Sequence, residues 1–102
     1  MNQGLQSISI GSDSGSKNQG LNSIAIGCNS GNLNQGFNSI AIGFQSGKSS
    51  QHSNSIIINA SGLTLYSTVS NQFIVKPIRN NETTSSLKNL NYDTSSGEIS
   101  YS

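Results

Sequence analysis

Three ten-residue stretches stand sixteen residues apart: NQGLQSISIG at 2–11, NQGLNSIAIG at 18–27 and NQGFNSIAIG at 34–43. A fixed period constrains this chain more than any other feature, because equivalent residues must recur in equivalent surroundings. Stacked coils provide that. The units run 2–17, 18–33 and 34–49, and a degraded fourth starts at Ser50. Gln3, Gln19, Gln35 and Gln51 align, as do Ser7, Ser23, Ser39 and Ser55. Two isoleucine columns follow, Ile8–Ile24–Ile40–Ile56 and Ile10–Ile26–Ile42–Ile58.

Ser-Ile-small-Ile-Gly alternates with a period of two, which predicts a short strand in each unit. Frequent glycine and the absence of a 3.6-residue apolar period exclude helix. Ile24 and Ile26 point to one side, Ser23 and Ala25 to the other. The expectation is that the bulky isoleucine face lines the interior of each coil. The small face is then left for close approach by another chain. Gly4, Gly11 and their equivalents bracket the strand, where corners need positive φ or crowded backbone. The Asn, Ser and Gln residues suit turns and can pair with their own copies along the stack.

Composition enters as a test of order. Hydrophobic residues make up 31% of the 102, with five basic and four acidic side chains. So little apolar matter is a mark of disorder. Isoleucines on a strict register with almost no charge point instead to an ordered solenoid. About three large apolar side chains per coil offset little of the cost of ordering sixteen residues. An obligate oligomer is therefore expected.

A net charge of +1 without a Lys/Arg cluster argues against nucleic-acid binding. No apolar run reaches the roughly 20 residues of a membrane span, so no membrane insertion is expected. Met1 abuts the first repeat, which reads as a piece of a longer fibrous protein or an added methionine. Cys28 is the lone cysteine, at a position held by Ser12 and Phe44 in the neighbouring units, and reads as a tolerated loop residue.

The NSIAIG core, a short polar loop and a closing Ser-Gly resemble the repeat in the heads of trimeric autotransporter adhesins. The resemblance covers residues 2 to about 60. It implies a left-handed parallel β-roll, three chains around one axis, with coils of sixteen residues here. The fold expected is all-β: a β-roll domain of four coils over 2–62, then a C-terminal β-strand and hairpin trimerisation region over 63–102. In the fourth unit, NSIIINASG at 54–62, Ile57 replaces the small residue, Asn59 the glycine and His52 the first glycine. Terminal repeats are atypical because they cap the stack. Ile57 is expected to broaden an apolar contact between chains, and the lone His52 to be a surface or capping residue rather than a metal ligand.

Beyond Gly62, Leu63–Tyr66 and Phe73–Ile78 favour strand, and Pro77 ends the second or places it at an edge. Leu90 and Tyr92 alternate, residues 93–97 turn, and Ile99 and Tyr101 alternate on return, predicting a hairpin. Ser55–Gly62, Phe73–Asn80 and Leu90–Ser102, in that order, are similar to a segment of surface or fibre proteins of giant DNA viruses of amoebae. Asn91-Tyr92-Asp93 stands where that group tends to have Tyr-Tyr-Asn.

Chemistry is sparse. Asp13, Glu82, Asp93 and Glu98 lie off the repeating register, and only the last two are close in sequence. They read as solvated loop residues rather than an acid/base pair. One histidine supports no nucleophile triad, and Gly47-Lys48-Ser49 lacks the upstream glycine of a phosphate loop, since position 42 is Ile42. No catalytic, cofactor or metal residue is assigned, and no enzyme activity is expected. Two glycosylation sequons begin at Asn59 and Asn81. The functional expectation is a structural homotrimeric fibre or adhesin segment on a virion surface. It would hold a receptor-binding tip, and a host-surface receptor or glycan is its ligand class. The alternatives are a bacterial trimeric adhesin head and an assembly-only stalk. An ice-binding array fails because residues 1–63 contain no threonine, and an amyloid would grow without limit.

Overall fold

A computed structural model describes residues 3–82 and 85–102. The described chain is all-β and contains no helix. Each unit contributes one short strand: β1 Ile8–Ile10, β2 Ile24–Ile26, β3 Ile40–Ile42 and β4 Ile56–Asn59. They pair in parallel with like on like, Ile8 beside Ile24, Ile40 and Ile56 in turn. The chain is thus a parallel β-solenoid of about four turns, one per sixteen-residue unit. Isolated bridges Lys17–Leu33 and Leu33–Ser49 build the opposite wall. There the Gly15 and Gly31 N–H groups donate to Ser30 O and Ser46 O, each at 2.9 Å.

Corners explain the asparagines. Asn22, Asn38 and Asn54 have φ of 57°, 54° and 57°, and Asn18 and Asn34 both 56°. Asparagine enters this left-handed region at lower cost than other side-chain-bearing residues. Stacked copies then bond along the axis, Asn18 Nδ2 to Asn34 Oδ1 at 2.9 Å and Asn22 Nδ2 to Asn38 Oδ1 at 3.3 Å. The expected amide ladders are present. Gly27 combines both demands on glycine: its φ is +121°, and a Cβ would sit 2.8 Å from the carbonyl carbon of Gly43 in the next coil.

The interior differs from expectation. Ala25, Ala41, Ser23 and Ser39 are fully buried, whereas Ile8 and Ile10 are 47% and 58% exposed. The small face lines the inside and the isoleucines point out. The reason is dimensional: a sixteen-residue coil leaves too little width for two columns of isoleucine from one wall. Polar groups fill the space instead. Ser14, Ser30 and Ser46 Oγ donate across the coil to Ala25, Ala41 and Ile57 O at 2.9, 2.7 and 3.0 Å. Gln19, Gln35 and Gln51 Nε2 donate to Ile8, Ile24 and Ile40 O at 2.8, 2.8 and 2.9 Å. Among the described residues every buried side-chain nitrogen or oxygen has a partner, which makes such an interior tenable.

Gln35 also donates to Gln51 Oε1 at 3.1 Å, in the middle of this network. Gln35→Met, which keeps the length and removes the amide, leaves buried acceptors unmet. It is expected to cost about 1–3 kcal/mol, read as a lower denaturant midpoint with an unchanged slope.

Ile57 is likewise fully buried, so it fills the interior of the last coil and does not broaden an outer contact. Asn59 is the cap. Its Nδ2 donates to Phe44 O at 2.9 Å and Leu63 O at 2.6 Å, and its Oδ1 accepts from the Ser61 N–H at 3.0 Å. The His52 N–H and ring Nδ1 both meet Ser67 Oγ at 2.9 Å, tying this coil to the tail.

The sheet does not stop at Gly62, where the sixteen-residue register ends. β5, Phe73–Lys76, adds in parallel to β4 with Phe73 beside Ile56 and Val75 beside Ile58. It is shorter than the Phe73–Ile78 expected, ending before Pro77. Leu63–Tyr66 forms a single bridge, Leu65 to Ser46, rather than a strand. β6, Leu90–Tyr92, and β7, Ile99–Tyr101, form the expected antiparallel hairpin.

Candidate assembly surface

The most prominent surface feature is apolar. Alternation puts Ile8, Ile24, Ile40, Ile56 and Phe73 in one outer column, and Ile10, Ile26, Ile42, Ile58 and Val75 in a second. Five rungs at about 4.8 Å make a stripe about 19 Å long. Ile8, Ile10, Ile56, Ile58 and Phe73 are exposed in the single chain, and the other rungs are half-buried by their stacked neighbours. Leu5, Leu21 and Phe37 form a further exposed column. The stripe carries no charge, and the strictness of its register matches that of the polar interior. A contiguous apolar face of this kind marks an interaction site.

The hairpin repeats the situation. Leu90 pairs with Tyr101 and Tyr92 with Ile99, so all four share one face, and all four are exposed. A two-stranded hairpin alone is marginal in water. Between the hairpin and the end of the stripe lies an open groove of about 550 Å³, lined by Ile56, Phe73, Leu90, Tyr92 and Ile99 among others.

The hairpin turn has one electrostatic feature. Asp93 Oδ1 accepts from the Ser95 and Ser96 N–H groups at 2.8 and 3.2 Å. These bonds hold the Asp93 carboxyl below its usual range. A depressed folded value means the turn's stabilisation is present above the ordinary carboxylate range and is lost as pH falls through the lowered value. The Ser95 amide chemical shift is therefore expected to titrate below the ordinary carboxylate range, and Asp93→Ala is expected to abolish that titration.

Among the described residues no three His, Cys, Asp or Glu side chains group as a metal site. Among the described residues no helix is long and apolar enough to cross a membrane. Cys28 is exposed. Asn59 is buried with its amide engaged, so its sequon is closed in the folded chain. Thr83 of the second sequon lies outside the described residues. Sequence alternation places the isoleucine columns inside the coil; the structure has them outside. The signal for the correct side was the aligned glutamine and serine columns, which form an interior only if they face the small residues.

Fold and surface together define a parallel β-solenoid with a polar, fully bonded interior and an uncovered apolar outer wall. No family model, curated protein or solved structure matches the chain.

Proposed function

We propose that the chain is a segment of a homotrimeric fibre. Three left-handed rolls pack around an axis through their isoleucine columns, and the residues after Gly62 extend the contact as a neck. The observation that carries this reading is the outward-facing double column, five rungs long and exposed at both ends. An apolar wall left in water on a solenoid with few buried apolar side chains gains most by meeting its own copies. The number three comes from the resemblance of the NSIAIG repeat to trimeric adhesin heads. Placing the contact on the isoleucines rather than on the Ser/Ala face follows from the burial of Ala25 and Ala41.

The similarity of the tail to surface proteins of giant DNA viruses points to a virion surface. The role there is structural and non-enzymatic: holding an attachment tip outward, with host-surface glycans or receptors as the ligand class. Gold-labelled antibody against the chain is expected on the outside of intact particles. Label only after particle disruption would contradict the assignment. Saturable binding of the purified protein to amoebal cells separates attachment from spacing.

A further inference from the structure

Two further columns flank the isoleucine wall. Ahead of the strands stand Leu5, Leu21, Phe37 and Ser53, and behind them Ser12, Cys28, Phe44 and Ala60. Main-chain bonds hold both columns on the rungs of the solenoid. The Asn22 and Asn38 N–H groups donate to Leu5 O and Leu21 O at 3.0 and 3.1 Å. On the other flank the Asn29 and Gln45 N–H groups donate to Ser12 O and Cys28 O, each at 2.9 Å. Leu5, Leu21, Phe37, Cys28 and Phe44 are all exposed, and neither column carries a charge.

The two flanks change together along the stack. The first two coils carry leucine ahead of the strand and a smaller group, Ser12 or Cys28, behind it. The third is aromatic on both sides, with Phe37 and Phe44, and the fourth is small on both, with Ser53 and Ala60. Within one chain the columns stand at opposite ends of the strand. Three extended residues, about 10 Å, and two corners separate Phe37 from Phe44. Matched sizes have no use across that gap. They have one between copies. A closed ring joins unlike surfaces, so the flank ahead of the strand on one copy meets the flank behind it on the next. Rotation about an axis parallel to the stack leaves every coil at its own height.

We propose that the two flanking columns are the two halves of the contact between copies, joined coil by coil: Leu21 of one copy against Cys28 of the next, and Phe37 against Phe44. This rests on the ring of three proposed above, and it adds which surfaces meet and in what register. The occupant is a second copy because each column finds its complement, uncharged and of fitting size, on this same chain. The isoleucine columns lie between the two flanks and fill the centre of the ring, while Phe37 and Phe44 form an aromatic pair at its edge.

The test oxidises Leu21→Cys, in a chain that keeps Cys28, at micromolar dilution and reads the product under denaturing, non-reducing conditions. A covalent species of three chains is expected, because a disulfide forms only where two Cα atoms come within about 7 Å. The parent chain, and the Leu21→Cys chain that also carries Cys28→Ser, are expected to run as single chains. A second measurement compares Phe37→Ala, Phe44→Ala and the double variant by sedimentation, and it stands even if Leu21→Cys fails to fold. The double variant is expected to dissociate about as readily as either single one, because residues in contact couple. Additive effects, a disulfide within one chain, or a Cys28–Cys28 pair in the parent would each overturn the proposal. A native trimer without the Leu21→Cys cross-link would overturn this register and leave the fibre reading standing. A single-chain mass for the unmodified protein would overturn both.

Discussion

If the proposed trimer holds, replacing Ile24 and Ile40 together with aspartate is expected to turn it into single chains. In the isolated roll both side chains lie on the outer wall, half-buried against their stacked neighbours. A carboxylate there keeps contact with water, so the roll can still form. In the proposed assembly the same carboxylates would enter an apolar contact in every copy. Each lost isoleucine forfeits about 1.5–3 kcal/mol of burial, and each ionised group adds a desolvation cost of several kcal/mol. The sedimented mass should fall threefold, and the melting temperature of the remaining chain should drop sharply. Lys17→Ala, which trims an exposed side chain on the opposite wall, should leave both unchanged. A double aspartate variant with native mass would place the interface elsewhere.

Ala41→Arg should do something different: the chain itself should fail to fold. Ala41 is fully buried, and its carbonyl accepts the Ser30 hydroxyl at 2.7 Å across the coil. In the neighbouring coil even a methyl group on Gly31 would come within 3.2 Å of Ala25 Cβ, so the interior has no slack. Overpacking costs about 1–3 kcal/mol, and an unpaired buried guanidinium costs several more. Far-UV circular dichroism should show loss of the strand signal, and limited proteolysis should cut within the repeats. A folded single chain would instead mean that Ala41 faces a partner. The two substitutions thus distinguish the two walls of one strand.

The period was the legible part of the sequence. Gln19, Gln35 and Gln51 sixteen residues apart announce coils, and Ile-small-Ile announces one strand in each. The hairpin was equally plain, because Leu90, Tyr92, Ile99 and Tyr101 alternate around a turn ending in Gly97. What alternation cannot supply is direction. It separates Ala25 from Ile24 and Ile26 without saying which side is enclosed. The usual rule that large apolar groups go inside fails here, because it assumes an interior wide enough to hold them. In so narrow a coil Ser30 and Gln35 reach the opposite strand, and a hydrogen-bonded polar filling displaces the apolar one. β5 is not legible as a further rung for another reason: Phe73 follows Ile56 by seventeen residues, after the repeat has lost its register.

Sedimentation equilibrium of the unmodified chain at micromolar concentration tests the central claim most directly. The proposed packing of the outward isoleucine columns predicts one species of three times the 10.7 kDa chain mass. A folded species of 10.7 kDa with no tendency to associate would show that the exposed wall is stable in water and that the chain needs no copies of itself.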